Sequence, residues 1–422
     1  MKYRLIRKSL ALLLCTVIIF SVYTAEAKKF TGPLIVSQPE AVAPFISGDE
    51  TAEAPIFSVG LNQAGSAAFS CTWTVDGVEA GTGDTFRMDS FADTDIGVHT
   101  VQCHVTYRAS GSDDLEEDSL PVSWIHCAGV LPNSALTFSD VHKDYTHIGL
   151  AIDQVMKEND GLIPALIICT GDWTSGYHLG EETALEKVFP NLYTQCGGID
   201  TVYTAGNHDN SQAARTVNAM VGLGADEIGA SFVSRPGRSG TSAYAENLAV
   251  FPIHFEDVIV RGGKKIKTYS YQNVLDRLET FLRAQAESGT NPMIVISSHT
   301  GLHTLGIQPE STATKWVGKS MYNVGMSNRM VQLLNKYAEE FGLRIVYFFG
   351  HDHSQREKEF QLRPEERIHS TIRYTGKKWT TLKLKFFYAH AGYLTSHIRG
   401  TKHFSLLVWN DSSYTVTLDQ LE

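Results

Sequence analysis

The sequence predicts an α/β domain with mixed sheets flanked by helices, preceded by an all-β sandwich. Two observations lead to this fold class. From about residue 133 onward, short continuous apolar runs alternate with segments whose apolar residues recur at helical spacing. Before residue 128, short alternating runs are separated by Gly, Asp and Ser turns, which is typical of a β-sandwich. With 422 residues, 43% of them hydrophobic, the chain is long enough for two or three domains.

The N-terminus has the organisation of an export signal. Its first eight residues include four basic ones, Lys2, Arg4, Arg7 and Lys8. An uncharged stretch runs from Ser9 to Ala25, and Ala25-Glu26-Ala27 fits a small-residue cleavage site. We expect residues 1–27 to be a signal peptide cleaved near Ala27, which predicts a secreted, periplasmic or cell-surface protein. The alternative is an uncleaved anchor, because the stretch is marginal for spanning a bilayer. We expect no integral membrane segment in the mature chain.

Residues 28–128 form the predicted β-sandwich. Cys71, Trp73 and Cys103 resemble the core of an immunoglobulin-like domain, although Trp73 lies only two residues after the first cysteine. A Cys71–Cys103 disulfide would suit an exported protein. The acidic run at 113–118 is expected to be a solvated hairpin loop, and residues 129–133 a short linker.

Residues 133–422 form the predicted α/β domain. Its helices are expected at about 146–159, 181–195, 271–287 and 322–341. The apolar runs between them read as buried strands of a covered sheet, and each of five runs is followed by polar residues. These five blocks are Asp140-Val141-His142, Gly171-Asp172, Gly206-Asn207-His208-Asp209, Ser298-His299 and Gly350-His351-Asp352-His353.

The five blocks supply metal-binding donors at strand ends, where α/β sheets bind their ligands. Carboxylate, amide and imidazole groups suit Mn, Fe or Zn, and no thiolate is placed to select a softer metal. The number of donors is enough for two divalent ions a few Å apart, an arrangement used in phosphoryl transfer.

In order and composition the blocks resemble the calcineurin-like metallophosphoesterases, over roughly residues 133–400. The resemblance implies one metal held by Asp140, His142 and His353, and a second held by Asn207, His299 and His351. It also implies that Asp172 bridges the two metals, and that His208, oriented by Asp209, lies near the leaving group. Purple acid phosphatases also carry an N-terminal β-sandwich. They have Gly at the position of His142 and Tyr at that of Ser175, so this subgroup is disfavoured.

The resemblance predicts an exported enzyme that hydrolyses phosphomonoesters or phosphodiesters by attack of a metal-bound hydroxide. His208 would act as a general acid or as a scaffold beside the ligands. The alternative is a secreted binding protein whose phosphoesterase fold serves as an inactive scaffold. Other side chains that could line the pocket or contact substrate are Trp173, Tyr177, His178, His254, His390 and Tyr393, and His303 could add a further ligand.

The net charge narrows the choice of partner. The full chain carries a formal charge of −10, and loss of the basic signal segment would make the mature chain more acidic. Such a surface repels the phosphate backbone, so duplex nucleic acid is not expected as a partner. We expect a small-molecule or lipid-head-group phosphate ester. The mature chain would keep five cysteines, so at least one is unpaired; Cys169 is the best candidate, and a Cys127–Cys196 pair stays open.

Overall fold

The structure is a computed structural model. It describes residues 32–62, 69–108, 114–175, 179–220, 232–233, 239–255, 271–302, 324–351, 361–371, 378–396 and 401–421. The predicted signal peptide therefore lies outside the described residues.

The region before residue 128 is built from short strands, as the alternating pattern predicted. They are β1 (Ile35–Ser37), β2 (Phe45–Ile46), β3 (Ile56–Ser58), β4 (Gly60–Leu61), β5 (Phe69–Val75), β6 (Val78–Thr82), β7 (Thr85–Arg87), β8 (Gly97–Tyr107), β9 (Leu115–Asp118) and β10 (Val122–Cys127), with a 3₁₀ turn at Phe91–Asp93. One sheet has the order β2-β10-β8-β5-β6, with β9 paired to β8, and β1-β4 and β3-β7 form two ribbons. Phe57 of a ribbon packs in one core with Trp73 and Trp124 of the sheet. The region is consistent with a β-sandwich.

The predicted Cys71–Cys103 disulfide is not present, and both cysteines are buried free thiols. They lie on neighbouring strands of one sheet, where Cys71 is opposite Val105 and Trp73 is opposite Cys103. The two cysteines are therefore diagonal neighbours, and such positions lie about 7–8 Å apart. That separation exceeds the usual Cα–Cα span of a disulfide, and the bridge of an immunoglobulin domain joins two different sheets. Cys127, Cys169 and Cys196 are also free.

Two segments expected to be irregular are strands. Residues 115–118 of the acidic run form β9, with Glu117 opposite Val105 of β8. An edge strand leaves such side chains in water, so the charges are compatible with pairing. The expected linker at 129–133 belongs to the long strand β11 (Gly129–Phe138), which pairs with the next strand from Gly129 onward. The register shifts between Leu131 and Ala135, and this bulge accommodates the turn-like sequence.

The rest of the chain alternates strands and helices. After β11 its strands are β12 (Leu162–Cys169), β13 (Thr201–Tyr203), β14 (Phe232–Val233), β15 (Leu248–Ile253), β16 (Met293–Ser298), β17 (Arg344–Phe349), β18 (Gln361–Leu362), β19 (Arg367–Thr371), β20 (Lys378–Lys383), β21 (Phe387–His390), β22 (His403–Trp409) and β23 (Tyr414–Gln420). Its helices are α1 (Thr146–Glu158), α2 (Glu181–Lys187), α3 (Phe189–Gln195), α4 (Ser211–Met220), α5 (Tyr271–Glu287) and α6 (Val324–Glu340), with a 3₁₀ turn at Thr241–Tyr244.

The helix expected at 181–195 is two helices, α2 and α3, which meet at Val188. Pro190 lies in the first turn of α3. Proline has no N–H to donate to the carbonyl four residues earlier, so it interrupts one helix but is tolerated at the start of the next.

Two mixed sheets form the centre of this region. The first has the order β13-β12-β11-β22-β23, in which β11, β12 and β13 are parallel and β22 and β23 are antiparallel additions. The second has the order β14-β15-β16-β17-β21-β18, with a parallel centre from β15 to β21. A core that includes Leu166, Ile168 and Val346 joins the facing surfaces of the two sheets. The predicted fold class, mixed sheets flanked by helices, is confirmed.

Helices cover the outer surface of each sheet. Leu278 of α5 and Leu334 of α6 pack with residues of the second sheet, and Ile152 of α1 and Leu192 of α3 pack with those of the first. As in other α/β sheets, this burial on both sides explains why the strands read as continuous apolar runs.

The strand-rich region packs directly against α1 and α3. Ile125 and Cys127 of β10 belong to the same buried cluster as those two helices. Nε2 of Gln195 donates a hydrogen bond of 2.6 Å to the carbonyl of Pro121 across the boundary. Every residue of β10 is buried, because the sandwich covers one face of the strand and the helices cover the other. The sandwich therefore contributes to the core around the first sheet.

Candidate metal centre

The five polar blocks meet at one edge of the two sheets. Asp140, Asp172 and Asn207 follow β11, β12 and β13 of the first sheet, and His299 and His351 follow β16 and β17 of the second. Parallel strands present their carboxyl ends at the same edge, so short segments after each strand converge there. The donors approach each other from two sheets, which is why residues more than 200 positions apart lie in contact.

One group of donors gathers His142, Asp172 and His208, whose ligand atoms all lie within 4.8 Å of one another. Nε2 of His142 is 3.7 Å from Oδ1 of Asp140 and 3.8 Å from Oδ2 of Asp172. The predicted third ligand on this side, His353, lies outside the described residues.

A second group gathers Asp172, His299 and His351 within the same 4.8 Å limit. Nε2 of His299 is 3.1 Å from Oδ2 of Asp172, 3.2 Å from Nδ1 of His351 and 3.2 Å from Oδ1 of Asn207. Asp172 belongs to both groups. The structure therefore brings together six of the seven residues expected to bind metal, and the seventh is outside its described part.

His299 is oriented by its other ring nitrogen. Nδ1 lies 3.2 Å from the carbonyl of Thr170, so an N–H at Nδ1 donates to that carbonyl and leaves Nε2 directed at Asp172. Metal-binding histidines are commonly fixed in this way. Burial opposes a positive charge on His299, but Asp172 and Asp140 outweigh it and raise the pKa of this imidazole to about 9. The negative field that favours imidazolium here would also favour a cation.

The backbone of the centre adopts unusual conformations. Asp140, His142, Asp172 and His351 all have positive φ, between 50° and 76°. Residues other than glycine reach this left-handed region at a cost of about 1–2 kcal/mol each. Such conformations concentrate at functional sites, where surrounding contacts hold them. Here the backbone amide of His351 donates to Oδ2 of Asp140 at 2.9 Å, which ties the fifth block to the first.

Two glycines of the blocks allow the segments to approach closely. A Cβ placed on Gly206 would lie 2.5 Å from the backbone nitrogen of Asp172 and closer still to its Oδ1. A Cβ on Gly350 would collide with Oγ of Ser139 and lie 2.8 Å from Oδ2 of Asp140. Glycine is needed at both positions because another strand-end segment occupies the space of a side chain.

Asp209 connects the second and third blocks. Its carboxylate accepts the backbone amides of Gly206 at 2.8 Å, Thr174 at 3.0 Å and Trp173 at 3.3 Å. Both oxygens are thus engaged by loop amides. Burial, with the nearby Asp172, raises the pKa of Asp209 well above its usual range. The contacts of Asp209 hold loops in place, whereas the resemblance implied that this residue orients His208.

His208 lies beside the donors and is half-buried. Its backbone amide donates to Oδ1 of Asp172 at 2.9 Å, and its Nε2 is 3.9 Å from Oδ2 of the same carboxylate. The His142 ring meets the His208 ring edge to face, with centroids 5.0 Å apart. Burial lowers the pKa of His208, and the charge of Asp172 partly opposes this shift.

Other sequence candidates have different outcomes. Trp173 is fully buried, its indole N–H bonds the carbonyl of Thr204, and its ring packs on Phe189, so it belongs to the core. His254, His390 and Tyr393 are also buried. Tyr177, His178 and His303 lie outside the described residues.

Backbone groups that organise the centre, such as the carbonyl of Thr170 that orients His299, were not foreseen from the sequence. The sequence marks such a carbonyl only by its position at the end of a strand, because every residue type has a backbone carbonyl.

The donor set fits divalent metal ions. Oxygen and nitrogen donors from Asp140, His142, Asp172, Asn207, His299 and His351 converge on a buried site, and this mixture suits Mn, Fe or Zn. Buried like-charged carboxylates require nearby positive charge, which divalent ions would supply. A buried cluster of this composition at the strand ends of an α/β fold defines a candidate metalloenzyme centre.

A family model agrees with this class. Residues 135–355 match the model described as calcineurin-like phosphoesterase, and this match covers more than half of the chain. The chain therefore belongs to the calcineurin-like phosphoesterase family, whose fold usually binds two divalent metals.

The individual structures similar to this chain share little sequence with it. A search of curated proteins found no match. Among solved structures, the chain is similar to GAP50, the anchor in the inner membrane complex of Plasmodium, at 9% identity over 68% of this chain and 88% of that one, with a TM-score of 0.32. It is also similar to a calcium-binding mutant of Bacteroides uniformis beta-glucuronidase 2, at 9% identity over 91% of this chain and 60% of that one, with a TM-score of 0.27. Scores this low support no conclusion about function.

Proposed function

We propose that this protein is a metal-dependent phosphoric ester hydrolase that acts on phosphomonoesters or phosphodiesters. The observation that carries the proposal is the position of Asp172, a buried carboxylate that belongs to two groups of donors. Within each group, the ligand atoms of Asp172 and two imidazoles lie within 4.8 Å of one another. A carboxylate in that position suits two cations side by side, each completed by donors from the other polar blocks. The family of the chain supports the same reaction class.

The residues divide into two ligand sets in this proposal. Asp140 and His142, with His353, hold one ion, and Asn207, His299 and His351 hold the other. Asp172 bridges them. When bound, two such ions would lower the pKa of water and neutralise charge on the phosphoryl oxygens. The protein supplies the fixed geometry, because the close packing around Gly206 and Gly350 leaves little freedom and four of the ligands, Asp140, His142, Asp172 and His351, are held with a left-handed backbone.

His208 is proposed to act on the phosphoryl group or the leaving oxygen. It is half-buried beside the centre, with Nε2 near Asp172 and the imidazole of His142 against its ring. Burial lowers its pKa, whereas a negatively charged ester close by would favour its protonated form. As a general acid it would contribute about 10²–10⁴-fold to the rate. Asp209 supports this position indirectly, by holding the loops of the second and third blocks.

The substrate is proposed to be a small-molecule or lipid-head-group phosphate ester. The net charge of −10 supports this choice over duplex nucleic acid, whose binding depends on basic residues. Among the residues that the structure describes, no helix is long and apolar enough to cross a membrane. The basic, uncharged and small-residue segments at the N-terminus support export with cleavage near Ala27.

The rival hypothesis is a binding protein with an inactive phosphoesterase fold. A panel of phosphomonoesters and phosphodiesters, assayed with Mn, Fe and Zn, separates the two hypotheses. We expect metal-dependent turnover of at least one ester class. His208→Ala should retain metal and lose about 10²-fold in turnover, with a smaller loss for good leaving groups such as nitrophenolate. A metal-loaded protein that hydrolyses no ester would favour the scaffold.

A further inference from the structure

The turn that carries Asn207 is held from the side of the second sheet. Ala205 is two residues before Asn207 and is completely buried. Its backbone carbonyl accepts the amide of Phe255 at 2.9 Å, and its backbone amide donates to Nδ1 of His254 at 3.0 Å. Both partners follow β15, the strand beside β16. The end of β15 therefore joins the end of β13 across the two sheets.

His254 is suited to this contact by its tautomer. Because a backbone N–H donates to Nδ1, that nitrogen carries a lone pair and the ring proton is on Nε2. The side chain is buried, with 3% exposed, and so is the amide that it accepts. Without the imidazole this N–H would lose its acceptor at a site that water does not reach, which is costly.

A displacement of Ala205 would be transmitted to Asn207. The residue between them, Gly206, has no room to absorb it, because its amide is held by Asp209 and its backbone lies tightly against Asp172. Oδ1 of Asn207 in turn lies 3.2 Å from Nε2 of His299. Each residue of the segment Ala205–Asn207 is thus held by a contact with a different part of the chain. His254 supplies the contact that holds Ala205.

We propose that His254 is a positioning residue for the metal ion held by Asn207, His299 and His351. It contacts neither the metal nor the substrate; it sets the place of Asn207 through the Ala205 amide. The inference rests on the proposed function, because it concerns one of the two ions proposed there. It adds a residue outside the five blocks to the machinery of the centre.

The test compares three ways of changing His254. In His254→Asn, Oδ1 is the same number of bonds from the main chain as Nδ1 and can accept the Ala205 amide. In His254→Gln the amide is one bond farther away, and in His254→Leu no acceptor remains. Asn218→Leu is the matched control, because the Asn218 side chain bonds the backbone N–H and C=O of Tyr203 at 2.9 Å each, four residues before Asn207.

Mn²⁺ titration of each full-length variant measures the two dissociation constants, and thermal unfolding measures stability. We expect His254→Leu and His254→Gln to weaken one Mn²⁺ site by about 10–100-fold, the usual effect of losing a residue that orients a ligand. His254→Asn should stay within a few-fold of wild type. Asn218→Leu should lower Tm and leave both Mn²⁺ affinities unchanged. Equal Mn²⁺ affinity in all three His254 variants, or an equal loss in the Asn218 control, would overturn the proposal.

Hydrogen exchange on the metal-free chain provides a readout that is independent of the proposed function. The amide of Ala205 should exchange faster in His254→Leu and His254→Gln than in wild type or His254→Asn. If wild type binds no Mn²⁺ while this exchange pattern holds, the proposed function fails and the structural contact stands. If wild type binds two Mn²⁺ ions and the variants exchange and bind alike, only the role of His254 fails.

Discussion

Substitution of Gly206 by alanine tests how tightly the metal centre is assembled. Gly206 is not among the glycines with a positive φ, so alanine meets no left-handed backbone strain there. The expected effect comes from close approach. The new Cβ would be 2.5 Å from the backbone nitrogen of Asp172 and 2.9 Å from its Cγ, whereas a real Cβ essentially never lies closer than 3.0 Å to such an atom. The third block must therefore move away from the second by about half an ångström or more.

Such a displacement separates Asn207 from Asp172. A misplacement of about 1 Å can cost about 10²-fold in rate, so half that distance should lower turnover by about tenfold or more. We expect Gly206→Ala to show this loss in kcat/KM for a small phosphate ester, together with weaker Mn²⁺ binding.

The control is Gly180→Ala, since the Cβ at Gly180 would meet nothing within 4 Å and its φ is −60°. It should behave as wild type. A folded Gly206→Ala protein with wild-type turnover and Mn²⁺ affinity would show this inference to be wrong, because the approach of the two blocks would then not matter to the centre.

Two further predictions concern the strand-rich region. Ile125→Ala should destabilise the protein by about 2–5 kcal/mol, because Ile125 is fully buried against the helices of the first sheet. The control Ile56→Ala, at a position 53% exposed, should change the free energy of unfolding little. Chemical unfolding measures both variants. A truncated chain that starts at Gly129 lacks Ile125 and Cys127, so we expect it to have a lower Tm or to aggregate. A soluble truncated chain with the wild-type Tm would contradict the packing of β10 against the helices.

Much of the α/β fold could be predicted from the sequence because its signals are local. The five apolar runs form buried parallel strands, and the helix over Tyr271–Glu287 lies where its apolar spacing placed it. The polar blocks were recognisable because each donor lies at a strand end within a few residues of a glycine or another donor.

Long-range contacts could not be predicted. The sequence indicated strands before residue 128. It could not show that both faces of β10 are covered, because Ile125 is buried by helices that come later in the chain. The expected Cys71–Cys103 disulfide was wrong, because strand register, which spacing in the sequence does not reveal, places the two cysteines diagonally on neighbouring strands, where both are free thiols. The sequence did not distinguish His254 from the other candidate side chains, because its contact with the Ala205 amide depends on how the two sheets meet.

Elemental analysis of the purified protein, wild type against Asp172→Ala, is the decisive measurement for a centre that binds two metals. After dialysis against Mn, Fe or Zn, it should find two ions per wild-type chain. Asp172→Ala should lose at least one of them and show no turnover, because a single carboxylate serves both donor groups. A wild-type chain that retains no stoichiometric metal, or an Asp172→Ala chain that keeps two ions and full activity, would contradict the assignment of this centre.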